Sequence, residues 1–470
     1  MLKTNRTRRR LGHMIVDRHD PVDLIAMVPK LRLEMEPQLR QLDQLLSDDE
    51  LFAAVKADLS KRYPNSGRLG RHSTPVEVIL RMLVVRRLYN WSYEATERNV
   101  SDSLVLRQFV RLYLEPAPDA TTLIRWAALV GSDTLQALNE RAVELAKTLR
   151  VTGGRKLRTD GTVVEANMHY PTDSSLLTDG VRVLSRLLRR ARAAVGDRSG
   201  GEVFRDRTRS AKRLARRIAD SARRRGRGIE EVRGELYRRL LGIAGASLRQ
   251  AERVRKMLPD SRAGLARELE RFESLVGRVV SQTRRRVLEG ESVPATEKVV
   301  SVFEPHAAII RRGKAGRDTE YGRKLWLDEV DGGIISGYRV LAGNAADCEQ
   351  LGPALQNHKR LFGRSPDLVA ADRGVYSADN DRAAQEAGIK HVVLPKRGGK
   401  TKARQAHERQ GWFRRGMRWR AGAEGRISVM KRRGYLGRCR DKGEQGFGRW
   451  VGWGLLTANL STIARTVAAR

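Results

Sequence analysis

Apolar positions along this chain follow two spacings, and where one gives way to the other marks where the elements change. From about residue 20 to 150 the spacing is helical. The run PVEVILRMLVVRRLYNWSYEATERNV (Pro75 to Val100) sets Ile79, Met82, Leu83 and Leu88 at such positions, with Gly and Pro scarce inside it, and predicts helix. The next run, SDSLVLRQFVRLYL, begins with residues suited to an N-cap and stops before Pro116 and Pro118. Asp119 then precedes ATTLIRWAALVG, which Gly131 closes. Short helices joined by tight turns and carrying Arg107, Arg111 and Arg125 fit a helix-turn-helix DNA reader. The same pattern fits a plain helical bundle that packs or dimerises.

The pattern changes at Arg155. KLRTDGTVVEANM is short, β-branched and broken by Gly161, which predicts a strand, a turn and a second strand. After Pro171 an Arg-rich tract runs to about Gly290. VRVLSRLLRRARAAV, GELYRRLLGIAGASLRQAERVRKML and ARELERFESLVGRVVSQTRRRVL within it have helical periodicity, and the Gly- and Arg-rich stretches between the first two read as loops. Strand patterns resume at KLWLDEV (Lys324 to Val330), GGIISGYRVLAG (Gly332 to Gly343), PDLVAADRG (Pro366 to Gly374) and KHVVLP (Lys390 to Pro395). A loop, KRGGKTKARQ, leads to a final helical stretch and the C-terminal GWGLLTANLSTIARTVAAR. The expected organisation is a basic arm at 1–20, a helical DNA-binding or dimerisation domain at 21–150, and an α/β domain at 155–470. A helical Arg-rich insertion at 178–295 would interrupt the last of these.

Composition narrows the class of partner. The 470 residues carry 92 Lys and Arg against 55 Asp and Glu, a formal net charge of +37. Such an excess points to a polyanion, because each cation set against a phosphate releases a condensed counterion. The alternative is a solvated basic surface. Two cysteines, Cys348 and Cys439, allow no disulfide framework or CxxC knuckle, as suits a reducing compartment. The basic N-terminus lacks the apolar run of a signal peptide. No stretch reaches about 18 consecutive apolar residues, so no membrane span is expected. The expected location is cytoplasmic.

Phosphodiester cleavage suits such a chain and needs carboxylates on rigid elements. Two divalent ions about 4 Å apart clamp the attacking and leaving oxygens, and Mg²⁺ takes oxygen ligands. Asp160 (in RTDG) and Asp372 (in LVAADRG) each stand where an apolar strand gives out, at the sheet edge where α/β folds place ligands. An Asp before or near Gly is also a common turn residue, and taken singly each would be read so. Arg420, Glu424, Ile427 and Lys431 fall at i, i+4, i+7 and i+11 of a helical pattern, so a carboxylate sits between two cations on one stripe. Taken alone that is an ordinary surface ion-pair ladder.

Together these blocks resemble the bacterial insertion-sequence transposases of the DDE class, over about Leu157 to Leu460. RTDGTVVEANMHYPTDSSLL (Arg158 to Leu177) is similar to the first-aspartate block and DLVAADRGVYS (Asp367 to Ser377) to the second. One group of that family has a Tyr-Arg-Glu-Lys signature spaced by two, three and six residues. Arg420, Glu424 and Lys431 hold its last three places, and Met417 stands at the tyrosine place. The resemblance implies a ribonuclease H-like catalytic domain, with Asp160, Asp372 and Glu424 holding two Mg²⁺ ions and Mn²⁺ able to substitute. It implies cleavage at element ends, then attack of the freed 3′-hydroxyl on target DNA. Arg420 and Lys431 would steady phosphates, with Arg426 and Arg373 beside them. The expected partner is double-stranded DNA, bound by a homodimer or larger assembly associated with the bacterial nucleoid. The competing readings are a ribonuclease H-like nuclease without strand transfer and a non-catalytic DNA-binding repressor.

Other residues are expected to be structural. Glu165 reads as a cap or pairing residue on the second strand. His169 and Tyr170 would touch DNA or simply pack, and His306 and His407 lack metal spacing. Asp328 is expected to face solvent. Core packing is expected for most of Trp412, Trp419, Trp450 and Trp453.

Overall fold

The computed structural model describes residues 13–14, 16–22, 34–61, 71–195, 204–224, 228–314 and 317–470. Much of the expected basic arm, residues 1–12 and 15, lies outside them. The chain forms two compact units, one of residues 1–165 with 324–470 and one of Ala166–Arg323. The helical segment and the following sheet are therefore one unit, with no boundary near residue 150. The insertion expected at 178–295 falls inside the second unit.

The first unit opens with β1 (His13–Met14), α1 (Pro37–Leu45) and α2 (Asp49–Ser60), then β2 (Arg71–His72), which pairs parallel with β1. The helical run from Pro75 is two helices, α3 (Val76–Leu88) and α4 (Tyr93–Asp102). Asn90, at φ 54°, breaks it, and Ser92 caps α4 by accepting from the Ala95 N–H. α3 is apolar nearly all round and correspondingly buried on every side. Its Arg81 is fully buried and satisfied by Glu77 at 3.0 Å, Asp43 at 2.6 Å and the Phe109 carbonyl. α5 (Leu104–Phe109), α6 (Ala120–Ala127) and α7 (Ser132–Thr148) follow, with Ser103 and Asp119 as N-caps of α5 and α6.

Where strand, turn and strand were expected over KLRTDGTVVEANM, there is one strand, β3 (Lys156–Glu165). Gly161 serves packing rather than a turn: a Cβ there would meet the Trp326 ring at 3.1 Å. The second unit holds α8 (Asp173–Val195), α9 (Thr208–Ala222), α10 (Ile229–Met257) and α11 (Ala263–Thr283). They bury one apolar cluster that includes Leu184, Leu187, Leu240, Val254 and Val276. Of the stretches expected as loops there, residues 196–203 and 225–227 lie outside the described residues. β4 (Ala308–Lys314) pairs antiparallel with the first half of β5 (Arg317–Val330).

The remainder of β5 belongs to the first unit, with β6 (Ile334–Val340), α12 (Leu351–Phe362), β7 (Leu368–Ala371), α13 (Ala378–Glu386), β8 (His391–Val393), α14 (Lys402–Arg409), α15 (Gly411–Arg432) and α16 (Gly443–Ala468). The strand order there is β6–β5–β3–β7–β8. β5 and β6 are antiparallel, whereas β3, β7 and β8 are mutually parallel. α16 is buried at Gly446, at Phe447 and from Trp450 to Ala464, and packs on α7, α1 and α3. Asn459 joins three of these elements. Its Oδ1 accepts from the Ile335 N–H at 2.8 Å, and its Nδ2 donates to the Ile335 carbonyl and to Asn139. No helix among the described residues is long and apolar enough to cross a membrane.

Candidate active site

Strand register brings the two aspartates side by side. Lys156 to Thr159 of β3 pair with Leu368 to Ala371 of β7, so Asp160 and Asp372 are the next residues on adjacent strands, whose axes lie about 4.8 Å apart. β7 ends at Ala371 while β3 continues. Asp372 thus stands where the ladder stops, capping a short turn at Arg373–Val375 by accepting from the Arg373 N–H. Period-two alternation puts Arg158 and Asp160 on one face of β3 and Thr159 on the other.

α15 crosses the first of these faces, packing on β3, β7 and β8. Phe413 is buried with Ala370 and Val393, and Met417 and Trp419 pack beside them. Gly416 and Gly422 allow the close approach. A Cβ at Gly416 would lie 2.5 Å from the Val393 side chain, and one at Gly422 2.6 Å from the Arg158 guanidinium. Arg158 fixes the helix to the sheet by donating to the Trp419 carbonyl and, with two nitrogens, to the Glu329 carboxylate at 2.7 and 3.0 Å.

Glu424 lies one turn beyond Arg420 on this helix, and Arg420 joins all three acids. Its guanidinium donates to Glu424 Oε1 at 3.0 Å and lies 3.8 Å from Asp372 Oδ1 and 4.0 Å from Asp160 Oδ2. Because one nitrogen, Nη1, meets both aspartates, their oxygens are no further apart than those two distances laid end to end. The Arg420 side chain is 12% exposed and Glu424 69%, so the guanidinium is enclosed and the glutamate rims the group on the solvent side. The Arg420 Nε is buried with no hydrogen-bond partner. The carboxylates therefore surround a fixed cation. Among the described residues, no three His, Cys, Asp or Glu side chains close on a point that could hold a metal ion.

The other expected site residues are dispersed. Lys431 is in the last turn of α15, and Arg373 is exposed beside Asp372. Arg426 turns inward, donating to the Gly333 carbonyl at 2.8 Å and to Thr462 Oγ1 at 2.7 Å, and burial lowers its pKa. Its head is fastened to the fold and is not presented to a ligand. Arg107 is held by the Tyr113 and Glu115 carbonyls, and Arg111 by Asp43. Arg125 is exposed on α6.

Asp328, expected at the surface, is buried on the opposite face of the sheet. It accepts from Arg339 at 2.8 Å and from Thr159 at 2.8 Å, and burial pushes its carboxyl up. Both faces of this sheet are covered, so strand alternation there does not separate core from solvent. Trp450 and Trp453 are buried, whereas Trp412 and Trp419 are half-buried. His169 and Tyr170 belong to the second unit, where His169 lies 3.4 Å from Asp179 and Tyr170 packs edge-on against Tyr321. The Arg158–Glu329 pair went unrecognised in the sequence, although Arg158 stands two residues before Asp160, on the same face by strand period.

Residues 27–129 match the family model of the transposase domain (DUF772). The match supports a transposase. It takes in α1 to α6 and ends before all three carboxylates of the candidate site. Neither a curated protein nor a solved structure matches the chain. The sheet and the carboxylates therefore rest on their own geometry.

Proposed function

We propose that the chain is a DDE-class transposase whose sheet is a ribonuclease H-like catalytic core, with Asp160, Asp372 and Glu424 as its metal-binding acids. The observation that carries this reading is the convergence of three carboxylates, from β3, β7 and α15, within 4.0 Å of one guanidinium. The strand order β6–β5–β3–β7–β8, antiparallel on one side and parallel on the other, supports the same core.

The donor set fits a hard divalent ion: three carboxylates, with a cation already held among them. Asp160, Asp372 and Glu424 would hold the ions. Bound Mg²⁺ would supply charge for the attacking and leaving oxygens. The chain's own groups do the positioning. β3 and β7 hold the aspartates in register, and the Arg158–Glu329 pair holds α15 against them. Arg420 balances the carboxylates in the free protein, and its planar fork has the geometry to hold a phosphate. The joining of a freed 3′-hydroxyl to target DNA, by two or more copies on paired ends, belongs to the same proposal.

The test is metal-dependent nicking of DNA carrying the element's ends. Asp160→Asn, Asp372→Asn and Glu424→Gln are each expected to reduce nicking to background while DNA binding survives. Nicking by all three variants at the wild-type rate would remove the assignment. Offering a pre-cut end with a free 3′-hydroxyl and a second duplex separates strand transfer from hydrolysis alone.

A further inference from the structure

In the second unit, α9 turns four residues inward and a row of cations outward. Ala211, Leu214, Ile218 and Ser221 are buried in the unit's core. Arg209, Lys212, Arg213, Arg216 and Arg217 are all exposed, and their offsets of i, i+3, i+4, i+7 and i+8 place them on one stripe. Arg223 and Arg224 continue it past the last turn, and Asp220 is the one acid of the helix.

Several basic residues elsewhere in the unit are paired with acids instead. Arg189 pairs with Asp206 at 3.0 Å, Arg190 with Glu268 at 2.7 Å, Arg255 with Glu273 at 3.0 Å and Arg285 with Glu291 at 2.7 Å. The five α9 heads have no acidic partner among the described residues. Like charges at these spacings weaken a helix, so the stripe opposes its own element unless a polyanion neutralises it. Five positions over two turns span about 12 Å, and duplex DNA carries a charge for about every 1.7 Å of axis. The stripe has no Asn or Gln suited to reading adenine edges.

We propose that the outer face of α9 binds the phosphate backbone of duplex DNA without regard to sequence. The site is separate from the carboxylate group and needs only DNA as a partner, so it stands or falls independently of the proposed chemistry. The full-length protein with Arg209, Lys212, Arg213, Arg216 and Arg217 all changed to Gln is titrated onto a random-sequence duplex at several salt concentrations. Each lost phosphate contact removes about 0.9 from the slope of log K against log salt, so the slope should become shallower by roughly 4. A milder Arg213→Gln, Arg216→Gln pair should lose roughly 2, and covers the case in which the fivefold variant does not fold. Folded variants with the wild-type slope would overturn the proposal, as would a change in self-association with DNA binding left intact.

Discussion

Arg420 meets three carboxylates with a single positive charge, which leaves a locally negative group on a strongly basic chain. Replacing it with Ala should raise the affinity of the DNA-free protein for Mn²⁺ by roughly tenfold, since one ion pair near a protein surface is worth at least 1 kcal/mol or so. Nicking should fall in the same variant, because the phosphate fork is gone. Calorimetry and a nicking assay read the two effects separately, and an unchanged Mn²⁺ affinity would show that the guanidinium does not compete with the ion. Asp331 acts on stability. Burial alone would raise its carboxyl, but N–H groups at the start of β3, those of Gly153 and Lys156 among them, outweigh it and hold the pKa below the usual range. Its stabilisation is present above the unfolded carboxylate pKa and is lost as pH falls through the lower folded value. Asp331→Ala should cost about 2 kcal/mol at neutral pH, measured by urea unfolding.

The precision of the site comes from how closely α15 lies on the sheet. Gly422→Ala would press a methyl group onto the Arg158 guanidinium and move the helix outward by a few tenths of an ångström or more. Nicking is expected to drop severalfold or more while the global fold persists, as small misplacements are costly in catalysis. Asn459→Leu should destabilise the first unit by about 1–3 kcal/mol, because the buried Ile335 N–H and Asn139 amide would lose their partner. At this scale the sequence was uneven to read. α15 was visible because Arg420, Glu424 and Lys431 keep one stripe, although the helix also contains several glycines. Gly416 and Gly422 lie against the sheet, and a tertiary contact of that kind leaves no periodic trace. β3 was cut in two for the same reason: Gly161 lies against Trp326, which follows the whole second unit in the chain. Arg107, Arg111 and Arg426 looked like ligands for DNA, but their partners are backbone carbonyls and a distant hydroxyl or carboxylate, which no residue spacing encodes.

For the molecule as a whole, acid should be more damaging than the carboxylates alone predict. His358 is buried against Phe362, its ring centroid 4.6 Å away, and burial lowers its pKa from 6.5 to about 4. The unfolded chain therefore binds a proton that the folded chain refuses. Stability from this group is complete above about pH 6.5 and declines by up to about 1.4 kcal/mol per pH unit as pH falls toward about 4. His358→Phe should flatten that part of the curve, as read by denaturant unfolding at pH 7, 6 and 5. If the slope survives the substitution, other groups carry it.

β3 and β5 are neighbours in the sheet, yet nearly all of the second unit lies between them in the chain. Topologically they are the two arms of a hairpin whose loop has grown to the size of a domain. Closing a longer loop is cheap, at about 0.6 kcal/mol for each doubling of length, so the sheet tolerates almost any cargo whose ends return to the same place. A turn of a few residues would close the same hairpin, and the order of Asp160, Asp372 and Glu424 along the chain would be untouched. The second unit is thus free to change its size and its charge at a rate of its own, while the strands that carry the acids stay in register.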